Sequence, residues 1–170
     1  MATEQERADE FFENYRRHLN QVDDIVHVVL NAHLDVEQTL DSFLTVVFFH
    51  PEYLRKCNLH YFDKVQIARA YSEVLHERPE WSLMLALGGL RNAIAHGDKG
   101  MKRTDKIGDL RSKLSGLGSS QSQQRVRNAD DKETVVYAAA ICSGFICTLE
   151  KQLWEVRHPH EEWPGNEVAG

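Results

Sequence analysis

Proline is scarce in this sequence, with four residues in 170, and long stretches lack both proline and glycine. A fold of many short strands needs these residues at its turns, so their scarcity argues against a turn-rich β fold and favours helices. The length is sufficient for one domain with a substantial core. An all-α domain is therefore the first expectation.

Cysteine is also scarce, and its pattern argues against two common structural uses. The three residues, Cys57, Cys142 and Cys147, form no CxxC pair and do not combine with histidine at zinc spacing. An odd count is atypical of a disulfide framework. We predict free, buried thiols in a cytoplasmic protein, with no structural metal and no cofactor. Residues 1–10 are polar and acidic, so no signal peptide is expected.

Long apolar runs are missing as well. The longest stretch without a charged residue, Thr134 to Leu149, falls short of the roughly 20 residues that span a bilayer. It predicts a buried core helix and no contact with a membrane.

Charge is distributed unevenly along the chain. The net charge is −6, but residues 91–127 contain nine basic and three acidic residues. The acidic remainder would repel nucleic acid, whereas this stretch could attract it. A solvated helix face followed by a loop explains the same pattern, and the sequence leaves both readings open.

Apolar side chains recur at helical spacing through most of the chain. They predict a single all-α domain over residues 1–157, an up-and-down bundle of about five to six helices. A flexible internal loop is expected at 115–131, where Gly, Ser and Gln are frequent, and a loose tail at 158–170. The predicted helices cover 4–30, 33–49, 61–75, 79–96, 102–114 and 133–156. Whether the first two form one helix is left open, because neither proline nor glycine separates them.

The helix at 79–96 has an unusual pattern. One side carries an apolar stripe that predicts a core contact: Leu83, Leu87, Leu90 and Ile94. The opposite side is apolar, small or selectively polar where an exposed face would be charged: Trp81, Leu85, Gly88, Asn92 and His96. Two adjacent glycines cost about 1 kcal/mol each relative to alanine, and close approach of another helix would compensate. This face is predicted to be an interface, either with the last helix or with a second copy of the chain.

Three polar residues near the end of this helix are the candidate functional residues. Asn92 and His96 share a face, and Arg91 lies about 140° from His96 around the axis. The motif Arg91-Asn92-x3-His96 resembles the R-x4-6-H motif of the HEPN superfamily of small helical domains. The preceding segments, 41–44 and 62–68, resemble the layout of members of the mannitol-repressor-like and DUF4145-like groups. The other histidines outside the tail, such as His33 and His60, are expected mostly at the surface or at helix ends.

The resemblance implies a HEPN-like helical bundle that often forms a homodimer and brings two motifs together. Catalytic members are metal-independent endoribonucleases. There Arg91 would hold the scissile phosphate, His96 would transfer a proton, and Asn92 would orient His96 or bind a phosphate oxygen. Glu37 is a candidate to neutralise or position Arg91. Non-catalytic members bind nucleotides, RNA or other proteins, so RNA, a nucleotide or a protein partner is expected.

Two other readings of the same residues stay open. Some HEPN toxins have a tyrosine two residues beyond the histidine, where this sequence has Asp98. An acid at that place raises a histidine pKa and repels phosphate, which favours a regulatory or binding module of the same fold. In the third reading the residues are structural, with Arg91 paired to an acid such as Glu37 and His96 at the helix dipole.

Overall fold

The computed structural model describes residues 24–72, 75–97, 101–117, 120–161 and 163. Over these residues the chain is helical and contains no strand, so the predicted all-α class is confirmed. The helices are α1 (Asp24–Val47), α2 (Pro51–Leu54), α3 (Tyr61–Tyr71), α4 (Glu80–Ala95), α5 (Met101–Ser115), α6 (Ser120–Asn128) and α7 (Asp131–Arg157). The part of the first predicted helix before Asp24 lies outside the described residues.

The two longest helices, α1 and α7, pack against each other along the centre of the bundle. Helix α1 continues unbroken through residues 31–33, so the boundary left open by the sequence does not exist there. Buried residues of α1 such as Val36 and Phe43 face the core, as do Cys142 and Ile146 of α7. Helices α4 and α5 then pack on α7, and in the second half of α4 Leu90 is buried while Asn92 and His96 are exposed.

Helix α7 has the length and composition of a helix that could cross a membrane, the single such helix among the described residues. In the structure the apolar side chains of one face, including Val135 and Ala138, are buried against the rest of the bundle, whereas Val136 is exposed. This packing is that of a core helix, as its sequence predicts.

The predicted loop at 115–131 is wrong for much of its length, because α6 occupies Ser120–Asn128. Val126 and Leu117 are buried, and the Arg111 guanidinium donates hydrogen bonds to the Ala129 carbonyl (2.6 Å) and to Asp131 (2.9 Å). The segment is rich in Ser and Gln and has few apolar residues, so its composition did not indicate the short amphipathic helix that it forms. Tertiary contacts of those positions stabilise it.

Two further sequence predictions are wrong at single residues. Cys57 is exposed rather than buried, although none of the three cysteines forms a disulfide with another described residue, as predicted. His158, the first residue of the predicted loose tail, stacks on the indole of Trp154 with ring centroids 3.7 Å apart. The flat apolar surface of the indole packs against this polar residue, and a hydropathy pattern does not predict such a ring-stacking contact.

Candidate functional site

Both faces of α4 are occupied near its start. The predicted core stripe is confirmed at Leu83, Leu87 and Leu90, which are buried, whereas its fourth residue, Ile94, is partly buried against the core. On the opposite face the Trp81 indole packs edge to face on Phe145 of α7, with centroids 5.0 Å apart. Its Nε1 donates to the Leu75 carbonyl (2.8 Å). The first part of the predicted interface is therefore a contact within the chain, with the last helix.

Gly88 is required by the close approach of α3. A Cβ at this position would lie 2.9 Å from two atoms of the Tyr61 ring. The ring is held in place because its hydroxyl donates to the Met84 carbonyl (3.1 Å) and its centroid lies 4.2 Å from that of the His33 ring. Packing of this aromatic ring compensates for the helix propensity lost at Gly88.

A cleft of ≈ 570 Å³ opens where α1, the start of α3 and the second half of α4 meet. Backbone capping at the start of α3 fixes one wall, since the His60 N–H donates to Asp63 Oδ2 (3.0 Å). The residues lining the cleft are His33, Glu37, Leu59, His60, Tyr61, Phe62, Leu85, Gly88, Gly89, Arg91 and Asn92. Two of the three predicted site residues, Arg91 and Asn92, are thus on its wall.

Arg91 lies in this cleft without an acidic partner among the described residues. Its half-buried guanidinium donates through Nη1 to Asn92 Oδ1 (3.3 Å). A guanidinium has five N–H donors in a planar fork that matches phosphate and carboxylate. Arg91 therefore retains donors for an anion that enters the cleft, and Asn92 fixes its orientation.

Glu37 lines the same cleft but does not neutralise Arg91. Its carboxylate accepts from Lys64 Nζ at 2.9 Å, and Lys64 also donates to Asp41 at 2.8 Å. The Arg91–Glu37 pairing considered from the sequence is not formed. Of the purely structural interpretation, the Arg91–Glu37 pair is therefore absent, whereas His96 does lie at the helix end.

His96 occupies a different place from Arg91. It is the C-cap residue of α4, its side chain is exposed, and Gly97 follows with a φ of 70° that ends the helix. The imidazole is not among the groups that line the cleft. One chain thus brings Arg91 and Asn92 together and leaves His96 at the adjacent helix end.

Two histidines, His33 and His60, line the cleft, and the buried one is His33, which the sequence analysis expected at the surface. It is buried, 4.2 Å from the Tyr61 ring, with Nδ1 3.7 Å from Glu37 Oε2. Burial lowers the pKa of His33, the Glu37 charge raises it, and Arg91 and Lys64 lower it further. The i,i+4 spacing of His33 and Glu37 on one helix was the signal that could have indicated this pair.

This pKa shift predicts how stability depends on pH. Because the folded-state pKa of His33 is below its ordinary value of 6.5, the unfolded chain binds more protons as the pH falls below that value. Stability is therefore lost on acidification. We expect the loss of unfolding free energy between pH 7 and pH 5 to be smaller in His33→Phe than in the wild type, as measured by urea denaturation at both pH values.

The exposed His27 on the same helix provides the control. His27→Phe should retain the wild-type pH dependence. An equal loss of stability in His33→Phe and in the wild type would contradict the assignment of His33 as a buried, neutral imidazole.

The chain matches no family model, no curated protein and no solved structure. In the part of the chain that the structure describes, no group of three histidine, cysteine or acidic side chains is arranged to hold a metal ion. The interpretation of the cleft therefore depends on its own residues.

Proposed function

We propose that this chain is a HEPN-like endoribonuclease that cleaves RNA without a metal ion, with the phosphate held by Arg91 and Asn92 and the proton transferred by His96. The observation that carries the proposal is the Arg91 guanidinium. It lies in an open cleft, its side-chain hydrogen bond is to Asn92, and it has no acid partner among the described residues. An unneutralised guanidinium in a concave site is the expected feature of an anion site.

The chemistry uses the 2′-hydroxyl of RNA as the nucleophile. The 2′-oxygen forms a bond to phosphorus while the bond from phosphorus to the 5′-oxygen breaks. The hydroxyl proton goes to a base and the departing 5′-oxygen receives a proton, which an imidazole can accept and donate near neutral pH. The products are a 2′,3′-cyclic phosphate and a 5′-hydroxyl. Arg91 would balance the charge that develops on the non-bridging oxygens.

The proposal includes a homodimer, because His96 does not line the cleft of its own chain. In that dimer His96 of the partner subunit would face the phosphate held by Arg91. Apolar side chains near the cleft support such a contact. Phe62 on its edge is 58% exposed, and Leu30 and Leu34 are 40% and 49% exposed. At 100° per residue both leucines lie within about 60° of Glu37 around α1. Burial of this apolar surface would favour association.

The test is cleavage of single-stranded RNA in EDTA by the wild type and by the double variant Arg91→Ala/His96→Ala. We expect the wild type to release fragments that end in a 2′,3′-cyclic phosphate and the double variant to release none above background. The matched control is Arg127→Ala/His27→Ala, two exposed residues of the same types outside the cleft. Equal cleavage by the wild type and the Arg91/His96 variant would reject the proposal.

A non-catalytic regulatory or nucleotide-binding module is the second candidate. The position of His96 outside the cleft of a single chain favours it, because such a cleft could bind an anion without cleaving it. In this case nucleotides or RNA raise the melting temperature of the wild type but not of Arg91→Ala, and no RNA is cleaved. The absence of a thermal shift, together with a dimer dissociation constant unchanged in the double variant, would reject this candidate.

A further inference from the structure

Gly89 differs from its neighbour Gly88, because no close contact requires a glycine there. The nearest atoms to a Cβ at Gly89 belong to Lys106, with Nζ at 3.8 Å and Cδ at 4.0 Å. These are ordinary contacts with a flexible side chain. Gly89 is nevertheless a residue of the helix interior and lines the cleft. What the missing side chain provides at this position is open space in the cleft.

Lys106 is the cation nearest to this space. It extends from α5, its side chain is exposed, and it forms no hydrogen bond or ion pair with the other residues that the structure describes. Two other basic residues of α5 have acid partners. Lys113 donates to Asp109 (2.6 Å), and Arg111 donates to Asp131 (2.9 Å). Lys106 therefore retains its charge for a ligand, as Arg91 does.

Arg91 and Gly89, which has Lys106 of α5 beside it, lie at opposite margins of the cleft face of α4. At 100° per residue, Arg91 and Gly89 are about 160° apart around the helix axis, and Asn92 lies between them. A strand that crosses α4 from Arg91 over Asn92 would reach Gly89 and the ammonium of Lys106. A cleft of ≈ 570 Å³ has the size of a small-molecule site, so it admits one backbone and not a duplex.

We propose that Gly89 and Lys106 form a second phosphate subsite, so that the cleft binds two phosphates of one single RNA strand, one at Arg91 and one at Lys106. This inference rests on the proposed function and specifies its substrate as single-stranded RNA with at least two phosphates. Gly89 lets the backbone approach the helix closely, and Lys106 neutralises the phosphate that lies there.

The experiment measures the affinity of the full chain for a fluorescein-labelled single-stranded RNA in which every ribose is 2′-O-methylated. This modification removes the nucleophile and separates binding from cleavage. The slope of log affinity against log salt reports the number of phosphates neutralised, about 0.7 per contact for a single strand. We expect Lys106→Gln to reduce the slope by about 0.7. Lys113→Gln, the same charge change on the same helix, should leave the slope as in the wild type.

Gly89→Ala provides an independent readout. Alanine improves helix propensity without a clash, so the melting temperature should rise by about 2–4 °C. The added methyl group occupies the space of the subsite, so the affinity for the same RNA should fall roughly tenfold. A variant that is more stable and binds more weakly cannot be explained by misfolding.

The outcomes separate this inference from the proposed function. If Arg91→Gln reduces the slope while Lys106→Gln does not, and Gly89→Ala binds like the wild type, the second subsite is rejected and the Arg91 site stands. If the wild type binds no RNA, both proposals fail.

Discussion

Replacing His96 with alanine should lower the rate of RNA cleavage by about 10²–10⁴-fold, the usual contribution of a group that transfers a proton in the transition state. The affinity for 2′-O-methylated RNA should hardly change, because the proton transfer assigned to His96 stabilises the transition state and not the bound RNA. Single-turnover cleavage rates and fluorescence anisotropy measure the two effects separately.

Arg91 should behave differently from His96, because it contributes to both binding and catalysis. Arg91→Ala should weaken RNA affinity and also lower the cleavage rate, by about 10²–10³-fold as for other donors to a developing negative charge. Arg91→Lys should restore little of the rate, since an ammonium cannot form the paired donors of a guanidinium.

Exposed residues of the same types, His27 and Arg127, again provide matched controls, and their alanine variants should cleave like the wild type. A His96→Ala variant that cleaves as fast as the wild type would show that this imidazole takes no part in the reaction.

Gly88→Ala should be clearly less stable than Gly89→Ala although they are the same substitution at neighbouring positions. Both gain helix propensity, up to about 1 kcal/mol. Only at Gly88 does the new Cβ lie 2.9 Å from the Tyr61 ring, which the Met84 carbonyl and the His33 ring hold in place. The cost of overpacking is about 1–3 kcal/mol, so Gly88→Ala should be less stable than Gly89→Ala by that amount.

Urea denaturation of both variants measures this difference. The shared gain in propensity cancels in the comparison, so the difference reports the contact with Tyr61 alone. Tyr61→Ala provides the control, because it removes the ring and should abolish most of the difference between the two glycine positions. Equal stabilities of Gly88→Ala and Gly89→Ala would contradict the packing of α3 on α4.

The sequence predicted a helix correctly where its apolar periodicity is bounded by residues that favour helix ends. Helix α4 was expected at 79–96 and spans Glu80–Ala95, because Pro79 favours its start and Gly97 its end. Its apolar stripe predicted the core-facing side correctly. By contrast, α6 was expected to be a loop, since its stability depends on contacts of Val126 and Leu117 with distant residues that composition does not show.

The candidate site was predictable only in part. The motif indicated Arg91 and Asn92, which lie together in the cleft, because residues adjacent in a helix keep their relation in any fold. The third residue, His96, is the C-cap of α4. The position of its side chain relative to the cleft depends on how the last turn of α4 ends, which the motif does not specify. His33 and Tyr61 come from α1 and α3, and their approach to α4 is a tertiary contact. The ion pair between Lys64 and Glu37 is also a tertiary contact, and the sequence had suggested Arg91 as the partner of Glu37 instead.

Co-expression of Arg91→Ala and His96→Ala chains with different tags, followed by purification of the doubly tagged heterodimer, tests most directly whether the two residues act on one phosphate across two copies. In a two-fold dimer one of the two sites would then contain both Arg91 of one chain and His96 of the other. The account predicts that this heterodimer cleaves RNA at about half the wild-type rate, although neither parent variant is active. A heterodimer as inactive as its parents would contradict the account.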